Sequence, residues 1–160
     1  MNNSDSGALS QIYAFRQIGR WGTAGQPTRT QFALVHAAGF RAVINLALPT
    51  SDNALADEGS LVTSLGMSYT HIPVDFEAPT ERDFCQFSRA MQMFEGQPVF
   101  VHCAANKRVS AFVFLYRVLH QRVSRAQAEP DLHAIWRPDA VWSRFIEGLL
   151  GATREPPDAT

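Results

Sequence analysis

The stretch that decides the fold is "PVFVHCAANKRVSAFVFLYRV", Pro98 to Val118. Val99, Phe100 and Val101 form a short apolar, β-rich run, which reads as a buried strand. His102 and Cys103 follow it into a short polar turn, and Arg108 opens a segment of helical character. A turn between a strand and a helix aims backbone N–H groups and the positive end of the helix dipole at one point beyond the strand. Cys103 stands at that point. A helix N-terminus and a nearby guanidinium favour a thiolate over a thiol. The same groups suit a dianionic oxyanion such as phosphate, so nucleophile activation and anion binding would share one physical cause.

Working outward, strand and helix patterns alternate. "IYAFRQIG" and "RWGTAG" read as short strands, and Thr28 as the cap of a helix "RTQFALVHAA" that stops at Gly39. "RAVINLAL" reads as a buried strand, "NALADEGSLVTSLG" as a helix ended by Gly66, and "MSYTHIPV" as an alternating strand. Thr80 with Asp83 three residues on marks a capped helix start, and Phe84, Phe87, Met91 and Phe94 then share one face. Helices are expected from Arg108 to about His120 and from Asp139 to Leu150, with a helical piece between. The pattern predicts a single α/β domain over residues 12–150 with a mostly parallel central sheet and helices on both faces. Residues 1–11 and 151–160 read as flexible tails.

Composition narrows the function. The 160 residues are 46% hydrophobic and 11% aromatic, which suits one globular domain with a real core. Fourteen Lys and Arg against fifteen Asp and Glu leave a formal charge of −1, so no broad electrostatic footprint for nucleic acid or a membrane surface exists. Neither a signal peptide nor a long apolar span is expected, which points to the cytoplasm. Two cysteines, Cys85 and Cys103, are too few for a disulfide scaffold. Cys85 adjoins the aromatic face of its helix and reads as a packed side chain rather than as a redox partner that protects Cys103 by a disulfide. His36, His71, His120 and His133 share no metal-ligand spacing, so neither a metal nor another cofactor is expected.

The turn "HCAANKRVS" resembles the signature of the cysteine-dependent protein tyrosine and dual-specificity phosphatases: His-Cys, two residues, Gly, two residues, Arg, then Ser or Thr. "GQPT", "GFRAVINL", "YTHIPVDF" and "PVFVHCAANKR" also occur in the order seen in a bacterial phosphatase-like subgroup, and the resemblance spans about residues 20–120. It implies a phosphatase-like fold and a phosphorylated substrate, protein or small molecule. It further implies that Cys103 is the nucleophile of a phosphocysteine mechanism, Arg108 the phosphate clamp, His102 a tuner of the thiolate and Ser110 the hydroxyl that steadies it on release. Ala104, Ala105, Asn106 and Lys107 would complete the anion cradle, with Lys107 read equally as a solvated charge.

This chain departs from the signature in two places. Asn106 stands where the signature has Gly, and Asn readily adopts the left-handed backbone such loops use. Four residues, Ala104 to Lys107, separate Cys103 from Arg108, one fewer than in the signature, while Ser110 keeps its distance. Either the loop is shorter, or it is intact and the Arg has moved back, rotated by about 100° on the helix. The resemblance also places the general acid at Asp75 in "IPVDFEAPT", with Glu77, Glu81 and Asp83 as competitors; the latter two suit a helix's first turn. "WRPD", Trp136 to Asp139, reads as a helix start rather than an acid loop. Gln26 in "GQPT" fits a ligand contact or a turn. The expected activity is phosphomonoester hydrolysis; a phosphate-binding module without turnover and a rhodanese-type sulfurtransferase are the alternatives.

Overall fold

The computed structural model describes residues 8–154. Its strands are β1 (Arg16–Ile18), β2 (Trp21–Ala24), β3 (Ala42–Asn45), β4 (Ser68–His71) and β5 (Val99–His102). Its helices after the first turn are α1 (Arg29–Ala37), α2 (Glu58–Ser64), α3 (Glu81–Met93), α4 (Lys107–His120), α5 (Arg125–His133) and α6 (Ala140–Arg154). The sheet order is β1-β2-β5-β3-β4, so the apolar run of the decisive stretch is its central strand. Among the strand pairs of the described residues, β1–β2 alone is antiparallel.

The alternation along β5 sorts the two cores. Val99 and Val101 point to the face covered by α3, α4, α5 and α6, where Phe84, Phe87, Phe112, Leu132 and Trp142 are buried. Phe100 points the other way, toward Phe32 and Val35 of α1 and Val62 of α2. Each such buried side chain contributes on the order of 1.5–3 kcal/mol. α4 is buried at every position from Arg108 to Tyr116, as expected of a helix apolar almost all round.

Register aligns the site-bearing ends. Ala24 of β2 and Asn45 of β3 both pair with His102, and His71 of β4 pairs with Asn45. The turn after β2, the Cys103 loop and the segment after β4 therefore meet at one edge, beyond the carboxyl ends of the parallel strands.

Several boundaries differ from the sequence reading. Helix α2 starts only at Glu58, because 50–57 forms turns, including Ala54 N–H donating to the Ser51 carbonyl. In "IYAFRQIG" the strand begins only at Arg16: Ile12 is buried in a turn, and Ala14 has φ 54°. Leu9 is buried and α6 runs on to Arg154, so ordered structure extends past both expected tail boundaries; 1–7 and 155–160 lie outside the described residues. Among the described residues no helix is long and apolar enough to cross a membrane.

Candidate active site

Cys103 is buried at the end of β5, 1% exposed, with its N–H donating to the Ala24 carbonyl at 3.3 Å. The chain reaches α4 through Ala104, Ala105 and Asn106, and Asn106 has φ 63° and ψ 2°, the left-handed conformation expected of it. Its side chain does not cap α4. Nδ2 instead donates to the Ala14 carbonyl at 2.9 Å and to Thr23 Oγ1 at 3.2 Å. A helix start leaves its first N–H groups without intrahelical partners, and here no side-chain cap covers them. The first turn of α4 thus keeps its positive end open to an anion.

The backing of the loop explains "GQPT". A β-carbon on Gly25 would lie 2.7 Å from the Ala104 carbonyl oxygen, so only glycine allows the turn after β2 to come this close. The Ala104 oxygen accepts from Gln26 N–H and from Asn53 Nδ2, both at 3.2 Å. The Gln26 side chain turns inward from the turn after β2: its buried amide Nε2 donates to Glu58 Oε1 at 2.6 Å and to the Pro27 carbonyl at 3.0 Å. Thr28 then caps α1 in a capping box with Gln31.

Behind the loop lies a buried polar network that the sequence did not reveal. The His102 ring is fully buried, edge-on to Phe32, with Nε2 at 2.6 Å from Glu58 Oε2 and Nδ1 at 3.2 Å from the Cys103 carbonyl oxygen. Glu58 is 3% exposed. Burial pushes its carboxyl up, but the hydrogen bond and charge of His102, with Gln26 and Tyr69, outweigh it and hold the group below its ordinary range. The Tyr69 hydroxyl accepts from Asn45 Nδ2 at 3.0 Å; burial, reinforced by the Glu58 charge against that hydrogen bond, pushes this phenol up to about 12. A carboxylate at a helix start reads locally as a partner of the dipole. Only the packing of α2 on the sheet shows that Glu58 faces the residue before the cysteine.

Arg108 lies in the first turn of α4 and is 6% exposed. Nη1 donates to the Val74 carbonyl at 2.8 Å, while Nε is buried without a hydrogen-bond partner among the described residues. This ties the helix to the segment that carries Asp75. Asp75 is exposed, and its Oδ1 accepts from Glu77 N–H at 2.9 Å. Of its competitors, Asp83 is committed to a capping box with Thr80, and Glu81 and Glu77 are exposed. Lys107 is exposed, with Nζ 5.5 Å from the Trp136 ring centre and 5.9 Å from that of Phe76. Its charge therefore sits over aromatic faces rather than free in solvent. The Ser110 hydroxyl donates to the Lys107 carbonyl at 2.9 Å and accepts from Trp136 Nε1 at 3.1 Å.

"WRPD" serves α6 and the rim. Asp139 Oδ1 accepts from Trp142 N–H at 2.9 Å as a helix cap, and Trp136 packs on Phe76 with ring centres 5.7 Å apart. A hollow of about 290 Å³ adjoins the loop, bordered by Tyr13, Phe15, Arg16, Ala105, Lys107 and Ile135. Cys85 corrects its reading as a packed side chain. It is exposed, because the buried stripe runs through Phe84, Phe87, Ser88 and Met91 and leaves the next position on the solvent side. No group of three or more His, Cys, Asp or Glu among the described residues could hold a metal ion.

A mostly parallel sheet whose central strand delivers a cysteine to the uncapped start of a buried helix, with an arginine in its first turn, is the α/β fold of the tyrosine and dual-specificity phosphatases. The chain belongs to the family described as DSP-PTPase phosphatase fused to NAD+ kinase, whose model matches residues 15–139. It is similar to a DUF442 protein from Shewanella putrefaciens CN-32 described as a candidate phosphatase, with TM-score 0.81 and 35% identity over 91% of this chain and 97% of that one. The active form of Tk-PTP shares the fold, with TM-score 0.68 and 22% identity over 87% and 95% of the two chains. The beta-lactamase hydrolase-like protein of Agrobacterium fabrum is 34% identical over 110 residues, 66% of this chain and 25% of that protein. The chain thus spans about a quarter of the length of the curated relatives it matches.

Proposed function

We propose that the protein hydrolyses phosphomonoesters through a phosphocysteine at Cys103. The observation that carries this reading is a combination: a strand-end thiol, the uncapped start of α4, and in the first turn of that helix a buried Arg108 whose Nε donor has no partner among the described residues. A phosphate oxygen would satisfy that donor, and an Arg still anchored to Val74 would present its planar edge to the anion.

The steps follow from the placement. The Cys103 thiolate attacks phosphorus, the phosphorus–oxygen ester bond breaks, and the leaving oxygen takes a proton from the Asp75 carboxyl group. Water then gives a proton back to Asp75 and attacks the phosphocysteine, the phosphorus–sulfur bond breaks, and thiolate and inorganic phosphate are released. Backbone N–H groups of the loop and of the α4 start, from Ala104 to Lys107, stabilise the charge on the equatorial oxygens. His102 tunes the thiolate from the side of the Cys103 carbonyl. Ser110 steadies the departing thiolate once its hydroxyl turns from the Lys107 carbonyl. The hollow beside Lys107 gives the leaving group room. We place this activity in the cytoplasm, in a domain core of residues 12–150.

Steady-state hydrolysis of p-nitrophenyl phosphate, run beside transfer of sulfur from thiosulfate to cyanide, tests this. Expected are phosphate release, lost in Cys103→Ser, protection of Cys103 from iodoacetate by phosphate, and no sulfur transfer. Sulfur transfer that depends on Cys103 would replace this reading with rhodanese chemistry. Phosphate binding with no turnover would leave an anion-binding module.

A further inference from the structure

The Glu58–His102 contact joins the helix layer on one face of the sheet to the backbone of the candidate nucleophile, and its hydrogen count is constrained. The Cys103 carbonyl can only accept, so the 3.2 Å contact from Nδ1 of His102 is a hydrogen bond only if Nδ1 carries the hydrogen. On the other side of the ring, Nε2 and Glu58 Oε2 lie 2.6 Å apart and share one hydrogen. Glu58 is held in turn by Gln26, whose amide hydrogens go to Glu58 Oε1 and the Pro27 carbonyl, which orients that amide. Which nitrogen of a histidine is protonated follows from the bond made by the other one.

We propose that Glu58 is a positioning residue for the Cys103 loop: braced by Gln26, its carboxylate holds the His102 ring so that Nδ1–H donates to the carbonyl of Cys103. This deepens the hydrolase reading without depending on turnover. The groups around the pair are Gln26 from the turn after β2, Tyr69 from β4 and the Phe32 ring from α1. Without the carboxylate, the ring is free to take the other tautomer. Nδ1 would then present a lone pair to the carbonyl oxygen, and the bond that fixes the loop at the sulfur-bearing residue would become a repulsion.

The two Glu58 variants differ in a defined way. In Glu58→Gln, Gln26 demands the carboxamide oxygen, which turns the NH₂ group toward Nε2, makes that nitrogen the acceptor and keeps the hydrogen on Nδ1. Glu58→Ala offers neither. The experiment is ¹⁵N NMR of the His102 ring at pH 7, with peptide-resolved rates of iodoacetamide alkylation at Cys103 and near-UV circular dichroism to verify folding. In the intact protein Nδ1 should show a one-bond N–H correlation. Glu58→Gln should keep it, and Glu58→Ala should lose it, with alkylation altered about tenfold. A bare Nδ1 in the intact protein overturns the proposal and needs no variant. So does a folded Glu58→Gln that loses the signal, or a folded Glu58→Ala that keeps both signal and rate. A protein with the expected ring signals but no phosphatase activity would support this role while refuting hydrolysis, so the two failures are distinguishable.

Discussion

Asp75 and Arg108 show how much of the candidate chemistry depends on single side chains. Asp75 follows Val74, whose carbonyl anchors Arg108, so the candidate acid and the candidate clamp are mechanically linked. If Asp75 protonates the leaving oxygen, Asp75→Asn lowers turnover by about 100- to 10,000-fold for an alkyl phosphate and far less for p-nitrophenyl phosphate, whose leaving group needs no proton. Equal losses on both would remove Asp75 from the role and move attention to Glu77. Both residues were singled out because each sits in a short stretch, "IPVDFEAPT" and "HCAANKRVS", that carries the family resemblance. Glu58 was not, because its partner lies 44 positions away and only the packing of α2 on the sheet brings them together. Cys85 misled for a local reason: adjacency to an aromatic face in sequence is not membership of it on a helix.

At the scale of elements, the legible features were those with their cause inside a few residues. The capping boxes of Thr28 with Gln31 and Thr80 with Asp83 form as the side-chain spacing requires, and the alternation in β5 sorts the two cores. The start of α2 was not legible, since "NALADEG" has helical spacing but is drawn into turns whose Asn53 donates to the Cys103 loop. The turn after β2 yields a prediction of its own. A methyl on Gly25 meets the Ala104 carbonyl at 2.7 Å and the Tyr13 ring at 2.6 Å, so the loop must yield. Gly25→Ala should cost roughly 1–3 kcal/mol in urea unfolding and lower phosphatase turnover more than the stability loss accounts for. Parent-like turnover would mean the loop tolerates displacement.

The molecule as a whole is stitched at Glu58. This one carboxylate connects α2, on the face of α1, to β5 in the sheet, to Tyr69 on β4 and to the turn after β2. Because the folded protein holds the Glu58 carboxyl below its ordinary value of about 4.5, the unfolded chain binds the proton more readily. Stability therefore rises with pH through this group: its contribution is complete above about 4.5 and is lost as the pH falls through the lower folded value. The exposed Asp57–Arg29 pair acts in the same direction, but any variant at Glu58 retains it. Urea midpoints for the parent and Glu58→Gln at pH 7, 5, 4 and 3 isolate the buried group. The parent should lose stability more steeply than the variant below about pH 4.5, where the Glu58 carboxylate takes up its proton. Parallel curves down to pH 3 would show that the Glu58 carboxylate contributes nothing to the linkage between the sheet and its helix layer.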